Sequence, residues 1–322
     1  MIKIYAPASI GNLSLGFDVL GMAVSPINGK LLGDVVSIKA AEGNQNSLEV
    51  IGEFVNKLPV DIKDNIVFQC MALFEQKLVL QGLTKQAVHL QLEKNMPVGS
   101  GLGSSACSVV AALVALNEFY QRPFNQAELL SMMGAMEAHI SGSVHYDNVA
   151  PCYLGGLQLM VANEQIISRQ LPDFKEIYWL MAYPGISVST KMAREVLPET
   201  YSRSTLITFG QNLASFIDAC YRQDSEEAMS YVNDVVAEPY RRDLIPRFTE
   251  AKQYVMAHGA LAAGISGSGP TLFVACDKLS VAQDLADYLQ QNYLQSAQGF
   301  VHICQTDTQG ARTITANTDN GQ

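Results

Sequence analysis

The pattern of hydrophobic and polar residues predicts a mixture of strands and helices in the first half of the chain. Apolar and polar residues alternate in MIKIYA and in AVHLQLEKNM, as expected of half-buried strands. DVVSIKAAE and SLEVIG predict two more strands, which the turn-forming GNQN separates. The apolar spacing of DNIVFQCMALFEQKLVLQG is helical, with Asp64 or Asn65 placed as a cap and Gly82 as a stop.

The second half continues this mixture without a regular alternation of strand and helix. Strands are predicted in LQLMVA, EIYWLMAYP, TLFVAC and FVHICQT. Helices are predicted near residues 190–197, 204–222, 225–236, 243–258 and 279–292. Because no clean βαβ rhythm runs through the chain, the predicted fold class is α+β rather than a doubly wound parallel sheet. NEQIISRQLPDFK reads as a turn and linker, which places a domain boundary there and gives domains 1–162 and 163–322.

Composition favours a well-packed protein and argues against nucleic acids and membranes as partners. The 322 residues are 48% hydrophobic and 16% charged, with a formal net charge of −10 and no basic stripe that could hold a phosphate backbone. The longest apolar run, CSVVAALVALN, is too short for a membrane span. Six scattered cysteines without a CxxC pair predict buried free thiols in a reducing compartment, so we expect a cytoplasmic location.

The most informative segment is PVGSGLGSSA, residues 97–106, which lies between a predicted strand and an apolar helix. Its glycines allow close backbone approach, and a helix start offers unpaired N–H groups at a positive dipole end, so the segment is a candidate phosphate cradle. It lacks the GK[ST] of a Walker A loop, and Ser104 stands where GxGxxG needs its last glycine. The alternative is a serine cap on the helix after an ordinary turn.

A phosphate cradle of this kind also suggests a magnesium site. The hydroxyls of Ser104 and Ser105 are suitable oxygen ligands, and a carboxylate usually completes such a site. Glu137 is a candidate because it lies in the mostly apolar segment NQAELLSMMGAMEAHI, where a buried acid needs a partner. This segment predicts a helix, and the alternative places Glu137 on its exposed stripe.

Six segments in order resemble the GHMP small-molecule kinases. PVGSGLGSSA is similar to their ATP-binding loop, and AAGISGSGPTLFV resembles the glycine motif that closes over that loop. APASIGNLSLGFDVLG, HYDNVAP, STKMAREVLP and EPYRRDLIP resemble the motifs of the members that act on homoserine. The resemblance implies an N-terminal domain like the second domain of ribosomal protein S5 and a C-terminal ferredoxin-like domain, with the active site in the cleft between them. It also implies a homodimer that phosphorylates the hydroxyl of L-homoserine with ATP and Mg²⁺, on the route to threonine.

The same resemblance implies roles for individual residues. The ATP-binding residues would be Asn65, near the adenine, and the loop residues Pro97, Val98, Gly99, Ser100, Gly101, Leu102, Gly103, Ser104, Ser105, Ala106 and Cys107. The metal ligands would be Ser105 and Glu137. The amino acid would be bound by Asn12, Asp18, His145, Asp147, Arg194 and Arg241. Thr190 would lie near the transferred phosphate and Asn148 near the reacting hydroxyl, with Ser105 also serving catalysis.

One departure from the family bears on mechanism. Mevalonate kinase pairs a lysine with an aspartate proposed as its base, but these positions fall on Ser9 and Asn148 in this chain. An amide cannot accept the proton, so we expect Asn148 to orient the hydroxyl while the loop amides and Mg²⁺ neutralise charge. Three rivals stay open: a sister kinase acting on mevalonate or a sugar, a non-catalytic binding protein, and a Zn²⁺ hydrolase using Glu137, His139, His145 and Asp147.

Overall fold

The computed structural model describes residues 1–163 and 165–315. The strands are β1 (Ile2–Gly11), β2 (Leu20–Pro26), β3 (Gly33–Ala40), β4 (Ser47–Ile51), β5 (Val88–Glu93), β6 (Leu157–Met160), β7 (Ser168–Leu171), β8 (Tyr178–Tyr183), β9 (Ala262–Ile265), β10 (Leu272–Cys276), β11 (Phe300–Thr306) and β12 (Arg312–Thr313). The α-helices are α1 (Ile66–Leu80), α2 (Ser104–Phe119), α3 (Gln126–Ser141), α4 (Val149–Leu154), α5 (Thr190–Glu195), α6 (Arg203–Arg222), α7 (Ser225–Ser230), α8 (Glu238–Arg241), α9 (Phe248–Ala257) and α10 (Leu279–Asn292). Short 3₁₀ turns lie at Val55–Lys57, Ile62–Asp64 and Arg242–Leu244.

The strands hydrogen-bond in the order β4-β5-β3-β1-β2-β11-β8-β10-β9, with β12 beside β1 and with β6 joining β2 to β7. Among the described pairs only β4 and β5 are parallel. The first part of β1, up to Pro7, pairs with β3, and its last residues pair with β2 instead. This mixed, mainly antiparallel arrangement confirms the predicted α+β class.

Helix α2 is the centre of the larger hydrophobic core. It is buried from Ala106 to Asn117, as its continuous apolar sequence requires, and it contacts β1, β3, α1, α3 and α4. A second core lies where α9 and α10 pack on β8, β9 and β10. Helix α2 is therefore packed against both the sheet and the neighbouring helices of this core. Within the described residues no helix is both long and apolar enough to span a membrane.

Local signals near α1 and the cysteines are confirmed. The side chain of Asn65 caps α1 by accepting a hydrogen bond from the Val67 N–H at 3.0 Å, and Gly82 follows the helix with φ of +77°. All six cysteines are free and buried, as their apolar surroundings predict. Asn65 is therefore the cap, and Asp64 belongs to the preceding 3₁₀ turn.

Two predicted helices were wrong in extent. The helix predicted over 225–236 ends at Ser230, and the one predicted over 243–258 begins only at Phe248. Pro246 explains the second difference, because proline disfavours helical backbone in the residue before it and cannot donate within a helix. The segment predicted as a linker, residues 163–175, contains strand β7. The predicted domain boundary at 162/163 falls in the loop between β6 and β7, and it stays a prediction. The predicted second domain includes residues 164 and 316–322, which lie outside the described residues.

Candidate active site

A cleft of about 690 Å³ opens at the amino terminus of α2. The predicted residues that line it are Asn12, Asp18, Val98, Gly99, Ser100, Gly101, Gly103, Ser104, Ser105, Glu137, His145, Asp147, Asn148, Thr190, Arg194 and Arg241. The predicted residues outside its lining are Asn65, Pro97, Leu102, Ala106 and Cys107. The side chain of Asn65 is occupied by capping α1, while its neighbours Asp64 and Ile66 line the cleft. Thr190 reaches the cleft as the first residue of α5.

The glycine loop bends because three glycines adopt left-handed backbone. Gly99, Gly101 and Gly103 have φ of +69°, +79° and +69°, a region that other residues rarely occupy. At Gly101 a Cβ atom would also lie 2.4 Å from the Ser266 carbonyl oxygen. Ser266 Oγ donates to the Gly101 carbonyl at 2.7 Å, and Thr271 Oγ1 donates to the Ser100 carbonyl at the same distance. The second glycine motif thus lies directly against the first.

The amino terminus of α2 presents groups that can bind an anion. Gly103 is its N-cap residue in left-handed backbone, and no described side chain caps the helix. Its first amide N–H groups therefore lack intrahelical acceptors and carry the positive end of the helix dipole. Ser104 Oγ donates to the Met96 carbonyl at 3.2 Å, so Ser104 contributes to the cradle through its backbone in this conformation.

A buried ion pair below the glycine loop was missing from the sequence prediction. Lys94 Nζ lies 2.5 Å from Asp34 Oδ2 and donates to the Ser104 carbonyl at 2.8 Å. Asp34 is fully buried and also accepts hydrogen bonds from Ser108 Oγ and from the backbone N–H groups of Asn95 and Met96. The pair therefore ties β3, the end of β5 and the first turn of α2 together. The signal in the sequence was Lys94 itself, a charged residue that ends the alternating strand pattern of AVHLQLEKNM just before the glycine loop.

Ser105 and Glu137 supply an oxygen pair beside the helix terminus. Ser105 Oγ donates to Glu137 Oε2 at 3.3 Å, and Glu137 is only 4% exposed, which decides against the exposed-stripe alternative. Burial raises the pKa of Glu137, and the nearby His145 offsets part of this effect. A hydroxyl and a carboxylate beside a phosphate cradle are the donor set that Mg²⁺ prefers, so the residues present fit this ion. The described residues hold no group of three or more His, Cys, Asp or Glu arranged for a metal.

Two arginines face the cleft in different ways. Arg194 makes a bidentate pair with Asp18, with N–O distances of 2.8 and 3.1 Å. Arg241 is only 3% exposed, and its Nε and Nη1 groups donate to the carbonyls of Ala193 and Gly267 at 2.8 and 2.9 Å. No carboxylate of residues 1–163 or 165–315 lies within ion-pairing distance of Arg241. Its buried charge is thus open to an anionic group in the cleft.

A hydrogen-bonded chain runs from His145 to Ser9. His145 Nδ1 lies 3.0 Å from Asp147 Oδ1, and Asn148 Nδ2 donates to Asp147 Oδ2 at 3.0 Å. Ser9 Oγ donates to Asn148 Oδ1 at 2.9 Å, which fixes the orientation of that amide. Burial alone would lower the pKa of His145, but the hydrogen bond and charge of Asp147 raise it overall. His139 also lines the cleft.

Comparison with known proteins shows the family to which this chain belongs. Residues 65–156 match the GHMP kinases N terminal domain, and residues 216–295 match the GHMP kinases C terminal domain. The structure of homoserine kinase from Cytophaga hutchinsonii ATCC 33406 is 31% identical, with a TM-score of 0.87 and 97% of both chains covered. A Listeria monocytogenes protein with the provisional name homoserine kinase is 24% identical over 98% of this chain and 100% of its own, with a TM-score of 0.71. The mevalonate kinase of L. major, solved with R-mevalonate, shares the fold at 15% identity and a TM-score of 0.70, over 95% of this chain and 96% of its own. The chain belongs to the GHMP kinase family.

Proposed function

We propose that this protein transfers the terminal phosphate of ATP to the side-chain hydroxyl of L-homoserine, giving O-phospho-L-homoserine and ADP in the route to threonine. GHMP kinases are phosphotransferases that use ATP as co-substrate. The amino terminus of α2, with its uncapped amide groups, is the part of the cleft suited to the triphosphate. The acceptor is the part of the proposal that needs an argument from side chains.

The observation that carries the proposal is the buried charge of Arg241. A buried guanidinium without a carboxylate partner is costly, and an anionic group of the ligand would offset that cost. Its remaining N–H groups can hold a carboxylate with two parallel hydrogen bonds. Arg194 would assist through its remaining N–H groups, since Asp18 accepts one hydrogen bond from its Nη1 and one from its Nη2.

The ammonium group of the amino acid would bind to the carboxylate of Asp147. This carboxylate is 3% exposed, and its two oxygens are oriented by His145 and Asn148. Charge-assisted hydrogen bonds from a ligand ammonium to such a carboxylate are stronger than neutral ones. A cleft with a buried cation and a buried carboxylate suits a zwitterion, whereas mevalonate and sugars carry no ammonium.

The transfer step would depend on alignment and charge neutralisation. We expect Ser105 and Glu137 to hold Mg²⁺, which when bound would neutralise charge on the phosphates. Asn148, fixed by Ser9, would orient the attacking hydroxyl, and Thr190 would lie beside the transferred group. A loose transition state does not require a strong base. A pH–rate profile with one essential base that disappears in D147N would instead make Asp147 that base.

The test is ADP release measured with L-homoserine, L-serine, L-threonine, mevalonate and galactose as acceptors. We expect the highest kcat/KM with L-homoserine, and R241M should raise its KM far more than the KM for ATP. A preference for mevalonate or galactose would identify a sister kinase. ATP binding without turnover on any acceptor would identify a non-catalytic protein.

The assembly and location of the protein are part of the same proposal. We expect a homodimer in the cytoplasm, as the family resemblance and the free thiols suggest. Light scattering on the purified chain would measure the mass of the assembly directly. A mass close to 35.0 kDa, that of one chain, would contradict the homodimer.

A further inference from the structure

One aromatic ring, that of Phe17, contacts both arginines of the cleft. The Cζ atom of Arg194 lies over the ring of Phe17, 5.8 Å from its centroid, and the Cζ atom of Arg241 lies over the same ring at 5.3 Å. Both distances are within the range of a cation–π contact. Phe17 itself is absent from the lining of the cleft, so it reaches a ligand only through these side chains.

The two guanidinium groups come from different elements and repel each other. Arg194 belongs to α5 and Arg241 to α8. Burial lowers the pKa of Arg241 and Arg194 adds to this effect, while the carboxylates of Asp234, Asp18 and Asp147 offset part of it. Asp18 offsets the charge of Arg194 directly. The negative face of an aromatic ring is a further group that attracts both cations, and it does not use the N–H groups that Asp18 and the backbone carbonyls leave open.

The segment that presents Phe17 has an unusual backbone. Asn12, Leu13 and Ser14 are three consecutive residues with φ of +67°, +45° and +60°, and Asp18 has φ of +56°. Such conformations persist only where the surrounding structure holds them, and they cluster at ligand sites. Here the side chain of Asn12 accepts a hydrogen bond from the Asp18 N–H at 2.8 Å, and it donates to the Gly267 carbonyl at 3.3 Å. The loop is thereby fixed beside both arginines.

We propose that Phe17 is a positioning residue that holds Arg194 and Arg241 together as a carboxylate-binding pair for the amino acid substrate. The inference rests on the proposed function, since it assigns the carboxylate of the acceptor to this pair. An aliphatic residue of similar size would fill the same space without attracting either cation. The aromatic face therefore determines how well a carboxylate-bearing alcohol binds, and it has no role for an acceptor that lacks the carboxylate.

The kinetic test compares wild type, F17L and F17Y with L-homoserine and with 3-amino-1-propanol, which keeps the ammonium and hydroxyl groups but has no carboxylate. We expect F17L to raise the KM for L-homoserine about tenfold, the order of effect of partly desolvated cation–π contacts. F17Y keeps the aromatic face and should stay within about twofold of wild type. In F17L, kcat/KM for 3-amino-1-propanol and the KM for ATP should not change. An equal loss with both acceptors, or an unchanged KM for L-homoserine, would overturn the inference.

A spectroscopic readout tests the ring position independently of activity. In wild type, ring currents should shift the Nε–H resonances of Arg194 and Arg241 upfield, with assignments from R194K and R241K. F17Y should retain these upfield shifts and F17L should lose them. If the two Nε–H resonances of wild type lie at the chemical shifts usual for arginine, the contact with Phe17 is refuted, even where F17L does not fold. If wild type phosphorylates another alcohol but not L-homoserine, the proposed function fails, while the resonances still decide the role of Phe17.

Discussion

Removal of the charge of Lys94 should destabilise the protein strongly. In K94M the fully buried Asp34 would lose the cation 2.5 Å from its Oδ2 atom, while the methionine fills a similar volume. Breaking one partner of a buried ion pair costs about 3–5 kcal/mol, because the other charge stays buried without compensation. Since folded proteins are stable by only about 5–15 kcal/mol, K94M should lose a large share of its unfolding free energy.

The double variant separates the uncompensated charge from lost packing. D34N keeps an oxygen that can accept hydrogen bonds from the Asn95 and Met96 N–H groups, which Oδ1 accepts at 2.9 Å in the wild type. K94M/D34N therefore removes both charges and retains these contacts. We expect it to recover most of the stability lost in K94M, so that the two substitutions are strongly non-additive.

Urea unfolding, followed by the fluorescence of the only tryptophan, Trp179, measures these free energies. Nucleotide binding supplies a second readout, because Lys94 also holds the Ser104 carbonyl at the start of α2. The KM for ATP should rise in K94M and stay raised in K94M/D34N, whose stability is restored. A loss below about 1 kcal/mol in K94M, or a double variant as unstable as K94M, would refute the reasoning.

Three further predictions concern the cleft. G101A should be less stable than G29A, because both glycines have a similar positive φ but of the two only Gly101 lacks room for a Cβ atom. Urea unfolding should show a free energy of unfolding about 1–3 kcal/mol lower in G101A than in G29A, the usual cost of overpacking. E137Q should raise the Mg²⁺ concentration needed for half-maximal turnover, whereas the exposed control E250Q should not, and an unchanged requirement would exclude Glu137 as a ligand. The pKa of His145 is raised in the folded protein, so its protonation stabilises the fold below about pH 6.5, and this stabilisation is lost as the pH rises through the pKa of the folded state. The difference in unfolding free energy between wild type and H145N should therefore shrink as the pH of the unfolding experiment rises.

The parts of the fold that could be predicted depend on short-range patterns. The start of α1 follows from Asn65, and its end from Gly82, because caps act within a few residues. Strands β2 and β9 were missed because glycines interrupt their patterns. β9 pairs with β10, the next strand along the chain, whereas β2 pairs with the distant strand β11. No local signal reports a pairing between residues that are far apart in sequence.

Most of the predicted site residues line one cleft, but the contacts among them could not be predicted from the sequence. The sequence motifs predicted Asp18, Arg194 and Arg241 as separate ligands of one substrate, and all three line the cleft. The structure joins Asp18 to Arg194 across 176 positions, and it directs two donors of Arg241 to backbone carbonyls. These contacts depend on how α5 and α8 meet the β1–β2 loop, which is a tertiary property.

Two buried cations illustrate why charge must be considered together with its partners. Lys94 and Arg241 have almost the same exposure, 2% and 3%, and both line the cleft. Lys94 is neutralised by Asp34 at 2.5 Å, so its charge is already used in holding the loop. Arg241 has only neutral acceptors among the described residues that hydrogen-bond to it, in a chain whose net charge is −10. Asp234, Asp18 and Asp147 offset the charge of Arg241 only from beyond ion-pairing distance. An anionic group that enters the cleft would therefore be attracted by this guanidinium and by helix amides, while the overall charge of the protein would oppose its approach.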